Sequence, residues 1–351
     1  MAGGRAKRPR KAGKARAARP VLGNDPFERG AAVRELPAGR VDAAPPPDAA
    51  PLPDAAPPSP PTEAGIAREL AELAASLLPA MRERLRGLSG LLRIGEPGAH
   101  LDAHGMDPTL LVRAAPLLDF LYLSWWRVAT AGAASLPEGP LVVVANHGGA
   151  LPWDALVLRM AVRREAPSHR DLRPLLEAAV LASPLVGRAA ARLGAVPASP
   201  VNALRLLAEG TAVGVFPEGS APRSWGERYR IGAFGRGGFV KVALRAGAAI
   251  VPCAIVGSEE ASPPVGRAGF LAEAFRFPAL AGLPGFSVGP LAGLPLPSRW
   301  TLRFGEPIDT GGLGPEAAGS PAEVACLAAA TRDRLQALLD ESVTARRSVY
   351  L

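Results

Sequence analysis

Three short apolar runs constrain this chain most: LVVVA (141–145), TAVGVF (211–216) and AIVPCAIV (249–256). Their length and their content of β-branched residues fit strands buried on both faces, which read as continuous rather than alternating hydrophobic patterns. Helical patterns separate them. Pro152 opens one that runs through DALVLRMAV, Leu181 to Leu193 reads as a second, and GAVP follows. Val201–Glu209, closed by Gly210, is a third, and Phe239–Arg245 a fourth. TLRF (301–304) alternates like a partly exposed strand. Val324 to Val343 is a closing helix with Leu327, Thr331, Leu335, Leu338 and Leu339 along one side. Strands that alternate with helices imply an α/β fold with one mixed, mostly parallel sheet flanked by helices. The 48% hydrophobic content supplies its core.

Charge separates this body from what precedes it. The net charge is +8, and residues 1–20 hold eight cations and no acid. Subtracting them (+8 − 8) leaves residues 21–351 electrically balanced. Nine prolines then fall between Pro45 and Pro61, interleaved with Ala and Asp. Such a segment buries too little apolar surface to offset its ordering entropy. Residues 1–62 are therefore expected to be a disordered basic arm and a Pro/Ala-rich linker.

Residues 63–126 form a second unit, expected to be helical. Ile66, Leu70, Leu73, Leu77 and Leu78 recur at helical spacing. Leu110 to Trp126 is apolar but interrupted by Arg113, Pro116 and Asp119, which argues against a membrane span. Tyr122, Trp125 and Trp126 suit either a lipid headgroup boundary or a buried amphipathic helix. Residues 127–351 make up the α/β domain.

Several classes are excluded. Two cysteines, Cys253 and Cys326, allow no disulfide framework, and neither lies in a CxxC that would hold zinc. No apolar run reaches the length of a spanning helix. The basic N-terminus lacks the apolar core of a secretory signal, though an Arg/Ala-rich, acid-free arm also fits a mitochondrial transit peptide.

The chemistry gathers where strands end. LVVVA runs into Asn146-His147-Gly148-Gly149, and Asp154 follows in the first turn of a helix. An imidazole takes a proton near neutral pH, and a carboxylate behind it fixes the tautomer, so His147 with Asp154 suits general-base work. A turn residue and a helix-dipole partner would look the same in sequence. TAVGVF ends in Phe216-Pro217-Glu218-Gly219-Ser220, again a glycine turn carrying one acid. The third strand contains Val251-Pro252.

In that order, the boxes resemble those of the glycerolipid and lysophospholipid acyltransferase family. The resemblance covers Trp126 to Val256: Asn146-His147 with Asp154, Phe216 to Gly219, and Ile250 to Cys253. Two departures stand out. His147 and Asp154 are spaced His-x6-Asp, as in a branch of the family with diverse acceptors. The family's phosphate-contacting arginines are not in their usual places: AVPASP follows Gly194, and Ala221 stands after the second box. Arg223, Arg228 and Arg230 are the candidate substitutes, in an Arg/Gly-rich segment (226–244) that could cradle a phosphate or be a loop.

The resemblance implies direct acyl transfer from acyl-CoA or acyl carrier protein to a hydroxyl of a lysophospholipid, glycerol-phosphate or related lipid. His147 would be the base and Asp154 its partner. Asn146, Phe216, Pro217, Glu218 and Gly219 would bind substrate, and the N–H groups of Gly148 and Gly149 would face the oxyanion. The resemblance implies no acyl-enzyme intermediate. No cofactor or metal is expected, and no nucleic acid. The expected partners are the acyl donor, the lipid acceptor and a membrane surface, met from the cytoplasmic side by a peripheral or monotopic protein. Three other readings stay open: a catalytically degenerate lipid binder of the same fold, a lipid hydrolase, and an anionic-surface or nucleic-acid binder acting through the arm.

Overall fold

The computed structural model describes residues 101–148, 151–183, 186–219, 227–235, 237–261 and 295–350. The basic arm, the linker and the helical pattern over Ile66–Leu78 lie outside these residues.

Seven strands form one sheet: β1 (Ala129–Ala131), β2 (Leu141–Ala145), β3 (Leu172–Leu176), β4 (Val196–Pro197), β5 (Ala212–Val215), β6 (Ala249–Val256) and β7 (Thr301–Phe304). Their spatial order is β1-β7-β6-β2-β5-β3-β4. The block from β6 to β4 is parallel throughout, with Val143 level with both Val251 and Gly214. β7 runs antiparallel to β6, and β1 runs parallel to β7. The sheet is thus mixed and mostly parallel, as expected. The bounds of β2 and β6 match their apolar runs, and β7 shows the alternating burial that TLRF predicts.

The helices are α1 (Pro108–Phe120), α2 (Trp153–Glu165), α3 (Ala178–Leu181), α4 (Gly187–Arg192), α5 (Pro200–Ala208), α6 (Gly238–Ala246), α7 (Ser258–Ala261) and α8 (Pro321–Thr344). Three of them start alike, with a capping side chain followed by proline. Asp107, Ser199 and Ser320 accept from the N–H of Leu110, Asn202 and Glu323, and Pro108, Pro200 and Pro321 come next. The cap satisfies an orphan donor, and proline at the first helical position has no N–H to lose.

Both faces of the sheet are covered, which is why β2 reads as unbroken apolar sequence. Leu141, Val143 and Ala145 face one side, with α1, α2, Trp126 and Trp300. Val142 and Val144 face the other, with α5, α6 and α8. Burying each of these Leu and Val side chains contributes about 1.5–3 kcal/mol.

The structure decides one open reading, changes one expectation and adds one strand. Tyr122, Trp125 and Trp126 are buried in protein rather than set at a surface boundary. Trp126 packs against Trp300 and Trp153, with ring centroids 4.9 and 5.6 Å away. After α1 the chain widens into a π-turn (Leu121–Trp125), which rotates these aromatics onto the sheet. Next, the single helix expected over Leu181–Leu193 is two short ones, α3 and α4. Pro184 lies between them, and proline cannot continue a helix. Finally, β3 carries Pro174, which reads against a strand. Pairing with β4 begins only at Leu175, so β3 is still an edge where the proline sits. Among the described residues, no helix is long and apolar enough to cross a membrane.

Candidate active site

Strands β6, β2 and β5 lie side by side, so the first two sequence boxes follow the carboxyl ends of neighbouring parallel strands, while the third, Ile250 to Cys253, lies within β6 level with Val142 to Ala145. At the end of β2, Asn146 is fixed by a reciprocal pair of bonds. Its Nδ2 donates to the Ile255 carbonyl at 2.8 Å, and its Oδ1 accepts from the Ile255 N–H at 2.7 Å. The side chain thus extends the ladder between β2 and β6 past Ala145. It sets the direction in which the next residue, His147, leaves the sheet.

His147 Nδ1 lies 2.6 Å from Asp154 Oδ2. The Asp154 side chain is fully buried, while His147 keeps 15% of its side chain exposed. Asp154 also accepts from two backbone donors, Gly148 N–H to Oδ2 at 3.0 Å and Ala155 N–H to Oδ1 at 2.8 Å. These donors hold the carboxylate as an acceptor, so the proton shared by imidazole and carboxylate belongs on Nδ1. Nε2 is then the basic nitrogen. The edge of the Phe216 ring meets the imidazole, with centroids 5.8 Å apart, and forms its apolar wall.

At the end of β5, the Gly219 N–H bonds back to the Phe216 carbonyl at 3.1 Å, with Gly219 at φ +67°. Only a residue without Cβ takes that conformation easily. The turn buries Pro217 and Glu218, and Glu218 Oε1 accepts from the Gly232 N–H at 2.7 Å.

Gly148 carries a different constraint. A Cβ at this position would lie 2.3 Å from Ser258 Oγ and 2.6 Å from Glu259 Cγ. The His147 turn therefore packs flush against the start of α7, with no room for a side chain. The Gly148 N–H, expected to face the oxyanion, donates here to Asp154. Gly149, Ser220, Ala221 and Arg223 lie outside the described residues. Arg228 lies 3.7 Å from Glu260, and Arg230 is exposed.

Sequence reasoning missed the residues after β6. Glu259 and Glu260 are buried, and Glu259 Oε1 accepts from the Tyr229 N–H at 3.2 Å. Glu260 accepts from the Tyr229 hydroxyl and from Arg346 Nη1, the latter at 2.9 Å. Burial pushes the Tyr229 phenol well up, and the Glu260 charge adds to it. For Arg346 burial acts downward, but Glu260 and Tyr229 outweigh it and leave the group raised. The available signal was a third strand end carrying acids after a glycine, Gly257-Ser258-Glu259-Glu260. Cys253 is buried within β6 with its thiol pushed up by burial, so it is no nucleophile. Among the described residues, no cluster of His, Cys, Asp and Glu could hold a metal.

A His–carboxylate pair just past the carboxyl end of a parallel strand, beside an aromatic ring, is an arrangement that can take a proton from a hydroxyl. The acyltransferase family profile matches residues 127–256, which span β1 to β6. Together with the relatives that follow, this shows that the chain belongs to the acyltransferase family. The uncharacterized protein Rv0502 of Mycobacterium tuberculosis is 40% identical over 289 residues, covering 80% of this chain and 77% of the relative. The uncharacterized protein ML2427 of Mycobacterium leprae is 40% identical over 296 residues, covering 82% and 77%. Among solved structures, the 1-acyl-sn-glycerophosphate (LPA) acyltransferase PlsC of Thermotoga maritima aligns with 18% identity and a TM-score of 0.44. That alignment covers 80% of this chain and 99% of the other.

Proposed function

We propose that this acyltransferase moves a fatty acyl group from acyl-CoA or acyl carrier protein to a hydroxyl of a lysophospholipid, glycerol-phosphate or related lipid. The observation that carries this reading is the His147–Asp154 bond of 2.6 Å, with the imidazole still open to solvent. Nε2 takes the acceptor's hydroxyl proton as the oxygen attacks the thioester carbonyl. The carbon–sulfur bond then breaks, and the imidazolium returns the proton to the departing thiolate. Asp154 steadies the imidazolium, and such base catalysis contributes typically about 10²–10⁴-fold. Phe216 walls the imidazole, and Glu218 positions the acceptor side.

The acceptor's charge is the open variable. Arg228 is offset by Glu260, which favours a neutral, hydroxyl-bearing lipid as the second reading. Lipidomics of host cells making wild-type protein or His147→Ala distinguishes the two. A phosphorylated product supports the first reading and a neutral acylglycerol the second. Identical lipid profiles from the two proteins overturn both.

The reading also includes work at the cytoplasmic surface of an anionic membrane, because acceptor and product are lipidic. Eight tethered cations near such a leaflet supply about 1 kcal/mol each, screened by salt. Replacing all eight with Gln should reduce flotation with phosphatidylglycerol-containing vesicles. Unchanged flotation removes the arm from the account.

A further inference from the structure

The segment Glu227–Gly232 bridges the two strand ends that flank His147. Gly232 N–H is held by Glu218, beyond β5. Tyr229 N–H is held by Glu259, beyond β6. β2, which delivers His147, lies between those strands. Both anchoring carboxylates belong to the site: Glu218 follows the Phe216 wall, and Glu259 abuts Gly148.

Tyr229 is the pivot of this bridge. Its φ of +59° is in the left-handed region, which few residues other than glycine occupy. Every polar group it has is engaged. Its N–H goes to Glu259, and its carbonyl accepts from Gln336 Nε2 at 2.9 Å. Its hydroxyl donates to Glu260 and accepts from the Gly257 N–H at 3.0 Å and from Arg346 Nη1 at 3.4 Å. A backbone conformation held this way marks a place where surroundings impose geometry on the chain. Arg346 also donates to the carbonyls of Arg299 and Val349, at 2.9 and 3.2 Å, so the hydroxyl is tied to the C-terminal tail.

We propose that residues 227–232 are a strap that forms the acceptor-side wall of the site, with Tyr229 its positioning residue and the Arg346–Glu260 pair its lock. The tail thereby sets acceptor affinity without touching substrate. The choice of the acceptor side rests on the role given above to Glu218, the carboxylate that holds Gly232.

The test uses the full-length protein and the variants Tyr229→Phe, Arg346→Ala and Arg346→Lys. Palmitoyl-CoA and palmitoyl-acyl carrier protein serve as donors, and 1-oleoylglycerol 3-phosphate and monooleoylglycerol as acceptors. Tyr229→Phe and Arg346→Ala should raise the acceptor KM about 5- to 20-fold, with donor KM and kcat within about 3-fold of wild type. Arg346→Lys should recover part of the loss. Hydrogen exchange should quicken in a peptide covering 227–232 in Arg346→Ala. An unchanged acceptor KM with folded variants overturns the proposal, and so does unchanged exchange in that peptide. Transfer that survives His147→Ala would instead overturn the assignment of the base, while the exchange result still judges the strap.

Discussion

The carboxyl end of β2 and the flank of β3 both bury charged side chains, and they dispose of them differently. Beside β3, Arg159 and Arg173 share Asp171, with Nε–Oδ distances of 3.0 Å each. Arg159 also donates to the Leu193 carbonyl at 3.1 Å, and Arg173 reaches Asp102. Burial pulls the Arg159 guanidinium down, and Asp171 opposes this. Both guanidinium side chains are almost wholly covered, at 5% and 7% exposure. At the end of β2 only the carboxylate is sealed, and the imidazole keeps an open edge. The first cluster ties α2, β3 and the chain before α1 together. The second leaves one group able to exchange a proton. Burial of charge is common to both clusters, and what sets the second apart is a partly exposed ring in front of its buried carboxylate.

Asp154→Asn should break the second cluster with the largest effect. The amide can present its N–H to Nδ1 and favour the wrong tautomer. Acyl transfer should fall about 10²–10⁴-fold with the melting temperature little changed. An active Asp154→Asn enzyme would reduce the pair to a helix-start ornament.

Asp171→Ala should give the opposite pattern. It removes the carboxylate paired with Arg159 and leaves Arg173 its Asp102 partner, and breaking a buried pair costs about 3 kcal/mol of stability. Transfer per folded molecule should stay within about 3-fold of wild type. Urea unfolding beside a rate measurement checks both halves. A specific-activity loss without a stability loss would erase the distinction between the clusters.

The same contrast explains what could be read in advance. β2 and β6 were legible to the residue because helices cover both faces and leave only apolar positions along them. β3 was not, since Arg173 and Pro174 interrupt a five-residue strand for reasons only its neighbours reveal. That His147 meets Asp154 was legible because one follows the end of β2 and the other lies in the first turn of the next helix. The strap was not. Tyr229 and Arg346 are 117 residues apart, and nothing local in either segment announces that they meet. Tyr122, Trp125 and Trp126 offered two readings of equal weight, and the π-turn that buries them has no sequence signature.

The central claim is that His147 is the base for acyl transfer. The direct measurement is transfer of labelled palmitate from palmitoyl-CoA and palmitoyl-acyl carrier protein to 1-oleoylglycerol 3-phosphate and to monooleoylglycerol, by wild type and His147→Ala. Circular dichroism shows that both are folded. The expected result is transfer by wild type to at least one acceptor and a loss of at least about 10²-fold in the variant. A folded His147→Ala protein that transfers palmitate at the wild-type rate would contradict the account.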